Sequence, residues 1–345
     1  MQSIEFYHQH LEKVSRSFSF CIMQLNSPAK EWIALCYLLC RIVDTIEDSI
    51  WPDSQTQENA FQQLKLFLEI EPSAEQVLLW QNGFPSQIDP AEHYLLADLP
   101  RLLRDKNELP LVIQDQLVKT ISQMMGGMRY FLSQYHYKGT LILPSLTTTN
   151  QYCFFVAGVV GELLTRVYTY LIPEFEWTEF LLIQSFHFGL CLQKINILKD
   201  KASDELAGRC YISSRESVRD SLVVNAVGAF NYIKSIPIVP GRTYRLFCSW
   251  SLFIGLASLK WIDKGWQMNE SYKIGSRETS YILSQIKQII DDNYALDVLF
   301  KRYLPEHAVS EAPHPSLETN QHTPTWFNAI YPFDFAPEDL AALGL

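Results

Sequence analysis

Four polar side chains, Tyr37, Arg41, Asp44 and Asp48, interrupt an apolar segment at spacings of four, three and four. On an α-helix this spacing puts them on one face. The residues from Trp32 to Cys40 are apolar around the whole helical circumference, which marks a helix buried on every side. Two carboxylates four residues apart repel each other, and the repulsion grows where water is scarce. A cation therefore has to sit between Asp44 and Asp48, and Arg41 supplies only part of it. A second stripe has the same character: Gln193, Asn196, Asp200 and Asp204 follow at three, four and four. Asn196, Asp200 and Asp204 offer oxygen donors only. Such hard donors, without His or Cys, point to Mg²⁺ (or Mn²⁺), which is usually completed by substrate phosphates. Either stripe alone is equally well a solvated helix face. Two of them, each closing an apolar helix and each with a cation nearby, favour the metal reading. Asp291-Asp292 is an isolated acidic pair and reads as surface.

The elements that carry these stripes read as helices. Long stretches run without strong breakers, among them 29–51, 111–137, 145–172, 174–200, 213–236 and 243–303, each far longer than an ordinary strand. Apolar residues recur at three and four, as in Leu95, Leu99, Leu102 and Leu103. No run of alternating β-branched residues and no strand–helix repeat is visible, so the expectation is an all-α single domain over residues 1–303. Residues 304–345 carry six prolines and read as a C-terminal tail without regular structure, with Trp326, Phe327 and Tyr331 among its docking candidates.

Composition narrows the function further. The 345 residues carry 28 basic and 38 acidic side chains, net −10, which argues against a general nucleic-acid binder. Hydrophobic residues make up 48%, enough for a large core. The seven cysteines show no CxxC pair and read as reduced core thiols. The N-terminus lacks a secretory pattern. The longest apolar run, 246–259, falls short of a spanning helix. The expectation is a cytoplasmic protein that at most touches a membrane surface.

The motifs resemble the squalene and phytoene synthase family, the head-to-head prenyl synthases. Asp44-Thr45-Ile46-Glu47-Asp48 is similar to its D-x-x-E-D motif, and Gln193, Asn196, Asp200 and Asp204 to its second motif, with Ser203 at a usually acidic position. Ser15-Arg16-Ser17-Phe18 is similar to the S-R-S-F element, Tyr152-Cys153 through Gly161 to Y-C-x-x-V-A-G-x-V-G, and Gly208-Arg209-Cys210-Tyr211 to G-R-x-[FY]. Five elements in the family's order span residues 15 to 211. Gln193-Lys194-Ile195-Asn196 and Phe247-Cys248 look more like the squalene type than the phytoene type. Lys199 stands where Arg is usual, Ser251 where Pro is usual, and Lys273-Ile274-Gly275-Ser276-Arg277 only partly matches the basic stretch linked to NADPH.

The resemblance implies an isoprenoid-synthase-type helical bundle around a central apolar cavity. It implies condensation of two farnesyl diphosphates through presqualene diphosphate to squalene, with Mg²⁺ and NADPH. Asp44, Glu47, Asp48, Asn196, Asp200 and Asp204 are then the metal ligands, and Asp44, Asp48, Asp200 and Asp204 are catalytic through that metal. Ser15, Arg16, Tyr37, Arg41, Gln193, Lys199 and Arg209 bind diphosphate. Arg16, Arg41, Lys273 and Arg277 bind the reductant, and Tyr152 handles the proton. Gly158 and Gly161 make room for a prenyl tail or allow close helix packing. Three alternatives stay open: the same condensation without reduction, giving dehydrosqualene or phytoene; a terpene cyclase acting on one diphosphate; and a catalytically silent scaffold. The oligomeric state stays open as well.

Overall fold

The structure, a computed structural model, describes residues 1–137, 139–268 and 272–304. Apart from Leu304, the proline-rich tail lies outside them. The chain forms two compact units, the first built on Met1–Arg129 and the second beginning at Tyr130.

The first unit is helical throughout its regular structure. It holds α1 (Ile4–Val14), α2 (Arg16–Ile22), α3 (Ala29–Asp48), α4 (Ser54–Glu69), α5 (Ala74–Asn82), α6 (Pro90–Ala97), α7 (Leu99–Asn107) and most of α8 (Leu111–Tyr135). Side chains at the helix starts fix where each begins. Asp53 accepts the Thr56 N–H at 2.7 Å, Ser73 and Gln76 form a reciprocal capping box, and Asp89 caps α6 with Pro90 in its first turn. Helix α3 is central: Trp32, Ile33, Leu35, Leu38, Ile42 and Val43 are buried, and α1, α4, α6 and α7 pack on it. The leucines at 95, 99, 102 and 103 are all buried, though they divide between α6 and α7.

The second unit contains the longest helices. After the short strands β1 (His136–Tyr137) and β2 (Thr140–Ile142) come α9 (Leu146–Cys153), a π-helical turn (Phe154–Gly158) and α10 (Val159–Leu171). Then follow α11 (Glu179–Leu206), β3 (Arg209–Cys210), α12 (Arg215–Ser235), α13 (Arg242–Met268), α14 (Ser276–Ile289) and α15 (Asn293–Tyr303). Helix α11 is the axis, packed by α10, α12, α13 and the π-helical turn. Two glycines let its neighbours approach. A Cβ on Gly161 would stand 2.8 Å from the Ser185 carbonyl carbon, and one on Gly189 would stand 2.6 Å from the Ala157 carbonyl carbon. Close helix packing, rather than tail space, accounts for Gly161.

The fold class is all-α, with one addition. β1 pairs antiparallel with β2, and β2 pairs parallel with β3 through Leu141↔Arg209 and Ile142↔Cys210. Strands of two or three residues leave no periodic signal. Asp292 is a cap, accepting the Tyr294 and Ala295 N–H groups, and Asp291 pairs with Arg242 at 3.0 Å. All seven cysteines are free thiols. The expectation about membrane-length helices needs correcting. Segments 146–171, 179–206 and 242–268 are each long and apolar enough to cross a bilayer by length and composition. Single polar residues such as Lys194 end an unbroken apolar run without making its surroundings polar. In the fold, 56%, 67% and 61% of those windows are buried inside the protein.

Candidate active site

In the first unit the stripe on α3 forms as its spacing requires. Tyr37, Arg41 and Asp44 are half-buried and Asp48 is exposed near the helix end. Ser15, at the junction of α1 and α2, lies near enough to the Tyr37 phenol to lower its pKa, and Phe18 packs on its ring at 5.5 Å. Burial pushes the Tyr37 pKa up, against the pull of Ser15 and Arg41. Burial also pushes the Asp44 carboxyl up to about 7; Arg41 opposes the shift, while Asp48 and Glu92 add to it. Burial works against the Arg41 charge, yet Asp44 and Glu92 outweigh it and raise its pKa. A carboxyl so poorly solvated and so crowded by like charge favours a close divalent cation. Glu47 sits at the stripe's edge and is buried, 7% exposed, while Arg16 is exposed.

In the second unit Asn196, Asp200 and Asp204 line up on α11, with Gln193 one turn earlier. Lys199 bridges two of them, donating to Asn196 Oδ1 at 3.3 Å and pairing with Asp200 at 3.2 Å. Ser203 is exposed and donates back to the Asp200 carbonyl at 2.7 Å; as a neutral side chain it adds no charge to the stripe. The chain then reverses. Gly208 takes φ +75, a left-handed conformation that suits glycine. Its carbonyl accepts the Leu141 N–H at 2.8 Å. The turn leads into β3 and returns Arg209 to within 3.9 Å of Asp204. Asp204, Arg209 and Tyr211 line a shallow recess with Lys201 and Ile197. Tyr152 is 3% exposed and stacks on Tyr211 with ring centroids 4.8 Å apart. Its hydroxyl donates to the Tyr211 hydroxyl at 3.2 Å, and Thr149 holds the Tyr211 carbonyl at 2.8 Å. The π-helical turn begins two residues after Tyr152, a local distortion that frequently marks functional sites.

A profile of the squalene/phytoene synthase family matches residues 11–220, more than half of the chain and both stripes. The chain belongs to the squalene/phytoene synthase family. Among curated relatives, it is 30% identical over 201 residues to squalene synthase of Mycosarcoma maydis, covering 58% of this chain and 34% of that protein. It is 31% identical over 208 residues to squalene synthase of Saccharomyces cerevisiae, covering 58% and 43%. The chain thus spans under half the length of these relatives. A solved complex of TcSQS with the ligand E5700 shares its fold, with a TM-score of 0.69 over 99% of this chain and 98% of that one, at 20% identity.

For a family member, the two stripes fit Mg²⁺ in their donor set and in the poorly solvated Asp44 carboxyl. Among the described residues no three His, Cys, Asp or Glu side chains are grouped to hold a metal by themselves. Each stripe would hold an ion only together with substrate oxygens, as Mg²⁺ commonly requires. Lys273 and Arg277 are both exposed at the start of α14. They offer charge for phosphate. Two residues escaped the sequence reading. Tyr211 was visible as the last residue of G-R-x-[FY], yet only the fold shows it under the Tyr152 hydroxyl. Glu92 had no signal, because nothing in the short segment 90–97 tells that it faces Arg41.

Proposed function

We propose that this protein joins two farnesyl diphosphate molecules head to head, through presqualene diphosphate, to squalene. The observation that carries the reading is duplication: two oxygen-donor stripes, each with its own cation, suit two diphosphates. A terpene cyclase acting on one diphosphate needs no second stripe of the Q-x-x-N type seen at Gln193 and Asn196. Asp44 and Asp48 would hold one ion, and Asn196, Asp200 and Asp204 another. When bound, Mg²⁺ neutralises the charge that develops on the departing diphosphate.

The protein's own residues do the rest. Arg41 and Lys199 add charge for phosphate oxygens, and Arg209, beside Asp204, adds more. The Tyr152 hydroxyl is a buried group placed to relay the proton lost as the cyclopropane closes, taking it up as it passes its own proton on, with the released diphosphate as the final base; Tyr211 holds the hydroxyl in orientation. Apolar helices keep water from the cationic intermediate. For the reductive half, Arg16, Arg41, Lys273 and Arg277 are candidate phosphate contacts for NADPH. The same condensation without reduction is the second reading, favoured by Gly275 and Ser276 in the otherwise basic stretch. An apolar product would draw the protein to a membrane surface.

The test is incubation of purified protein with farnesyl diphosphate and Mg²⁺, with and without NADPH, followed by identification of the hydrocarbon. Squalene only with NADPH supports the full reading. Dehydrosqualene in both samples supports condensation alone, and a cyclised product from one substrate molecule overturns both.

A further inference from the structure

Helix α6 brings a charge to the first stripe. Its start is fixed by the Asp89 cap, which accepts the Ala91 N–H at 2.7 Å, and by Pro90. Glu92 follows in the first turn and faces α3, which packs on α6. Its Oε1 accepts a hydrogen bond from Arg41 Nη2 at 2.5 Å. The Glu92 side chain is 14% exposed and that of Arg41 30%, so the pair is shielded from bulk water on the Glu92 side.

Arg41 has two possible anionic partners. Asp44 lies three residues on along its own helix, within reach of a guanidinium. Glu92 comes from another helix. The hydrogen bond and the ion pair go to Glu92. This choice matters for a divalent ion, because an arginine lying across a carboxylate occupies the oxygens the ion would use. A planar guanidinium binds a carboxylate through two parallel hydrogen bonds and is a strong competitor for it.

We propose that Glu92 is a positioning residue for the first stripe: it tethers the Arg41 guanidinium to α6 and so leaves the Asp44 carboxylate to a divalent cation. The inference rests on the reading of this stripe as a metal–diphosphate site. It assigns Glu92 no contact with substrate. With Glu92 neutral, Arg41 turns to Asp44 and competes with the ion. Partners of metal ligands typically change metal affinity by about 10–100-fold, and roughly tenfold is expected here.

The experiment is a Mn²⁺ titration of the full chain in the presence of inorganic pyrophosphate, with free Mn²⁺ read by electron paramagnetic resonance. Glu92→Gln should weaken Mn²⁺ binding roughly tenfold. Glu92→Asp, which keeps the charge, should recover most of the loss and guards against a folding defect in Glu92→Gln. Circular dichroism and thermal unfolding establish that each variant is folded. In an Arg41→Gln background the further effect of Glu92→Gln should vanish, since there is no guanidinium left to restrain. A full tenfold effect persisting in that background overturns the tether. So does wild-type Mn²⁺ binding by folded Glu92→Gln when Asp44→Asn has lost it. Wild-type binding by Asp44→Asn overturns the reading of the stripe itself, and the Glu92 inference with it.

Discussion

Gly161 separates two uses of a small residue, space for a prenyl tail and close approach of two helices. The perturbation is Gly161→Ala, one added methyl. Its Cβ would lie 2.8 Å from the Ser185 carbonyl carbon and nearer still to the oxygen. Ordinary carbon–carbon contacts lie at about 3.5–4.0 Å, so α10 and α11 must part by roughly 0.7 Å or more. The obstacle is backbone, and no rotamer change relieves it. Overpacking of this kind costs about 1–3 kcal/mol, occasionally more. The better helix propensity of alanine returns about 0.5–1 kcal/mol. A net loss of about 1–2 kcal/mol remains, which corresponds to roughly 2–8 °C in Tm for a unit of this size. Gly255→Ala is the internal comparison. Its Cβ would meet the Ile195 Cδ1 at 2.7 Å, the end of a side chain that can turn away, so its change should stay within about 1 kcal/mol. The assay is thermal unfolding followed by circular dichroism at constant pH, with farnesyl diphosphate turnover measured on the same samples. An unchanged Tm for Gly161→Ala with altered turnover or product length would refute the packing argument and restore the tail reading.

Three further expectations follow from the same geometry. Tyr152→Phe removes the hydroxyl that meets Tyr211 at 3.2 Å; stability should fall by only about 1 kcal/mol, while turnover of farnesyl diphosphate falls by about two to four powers of ten. Wild-type turnover by the folded variant would leave Tyr152 a core residue. Asp48→Asn and Asp200→Asn should each reduce turnover by orders of magnitude with circular dichroism unchanged, and activity surviving EDTA would contradict the metal reading. Burial, helped by the Lys194 charge, lowers the His187 pKa to about 4 from an ordinary 6.5. The unfolded chain therefore takes up the proton first, and the stability is present above pH 6.5 and lost as pH falls toward 4. Urea unfolding should show a loss of about 2 kcal/mol at pH 5 relative to pH 7 that His187→Gln largely abolishes; equal losses in both proteins would assign it to other groups.

The stripes were readable because a buried helix leaves few places for polar residues. On α3, the four polar side chains Tyr37, Arg41, Asp44 and Asp48 are spaced to share a face, and the structure keeps them there. What stayed hidden depends on distance along the chain. Glu92 lies 51 residues from Arg41, and no local period connects them. Tyr211 owes its place under Tyr152 to the Gly208 turn and the β2–β3 pairing, whose strands are too short to announce themselves. The stretch 243–303 contains no proline, yet it divides into α13, α14 and α15. Helix α13 ends at Met268 and α14 begins at Ser276, and a second break falls at Asp291-Asp292, where Asp292 caps α15. The membrane-length helices were missed for a different reason. Lys194 breaks the apolar run of α11, yet in the fold it is fully buried and hydrogen-bonds Ser221 at 2.6 Å and Asn225 at 2.5 Å.

The two stripes share their donors but differ in how each holds its cation. Lys199 lies among its carboxylate and amide partners with side chains 36% and 46% exposed for the Lys199–Asp200 pair. An exposed pair of this kind contributes at most about 1 kcal/mol, so an arriving phosphate displaces it at little cost. Lysine suits that role, since its ammonium is a single mobile charge on a flexible stem. Arg41 is the opposite case. Its guanidinium is fixed by a shielded carboxylate from another helix, and the neighbouring Asp44 is too poorly solvated to carry its charge easily without a cation. On the proposed reading the second stripe exchanges its cation partner, whereas the first keeps one in place and gains another. A Lys199→Arg substitution, which makes the pair bidentate and harder to displace, should therefore affect the second stripe more than Arg41→Lys affects charge at the first.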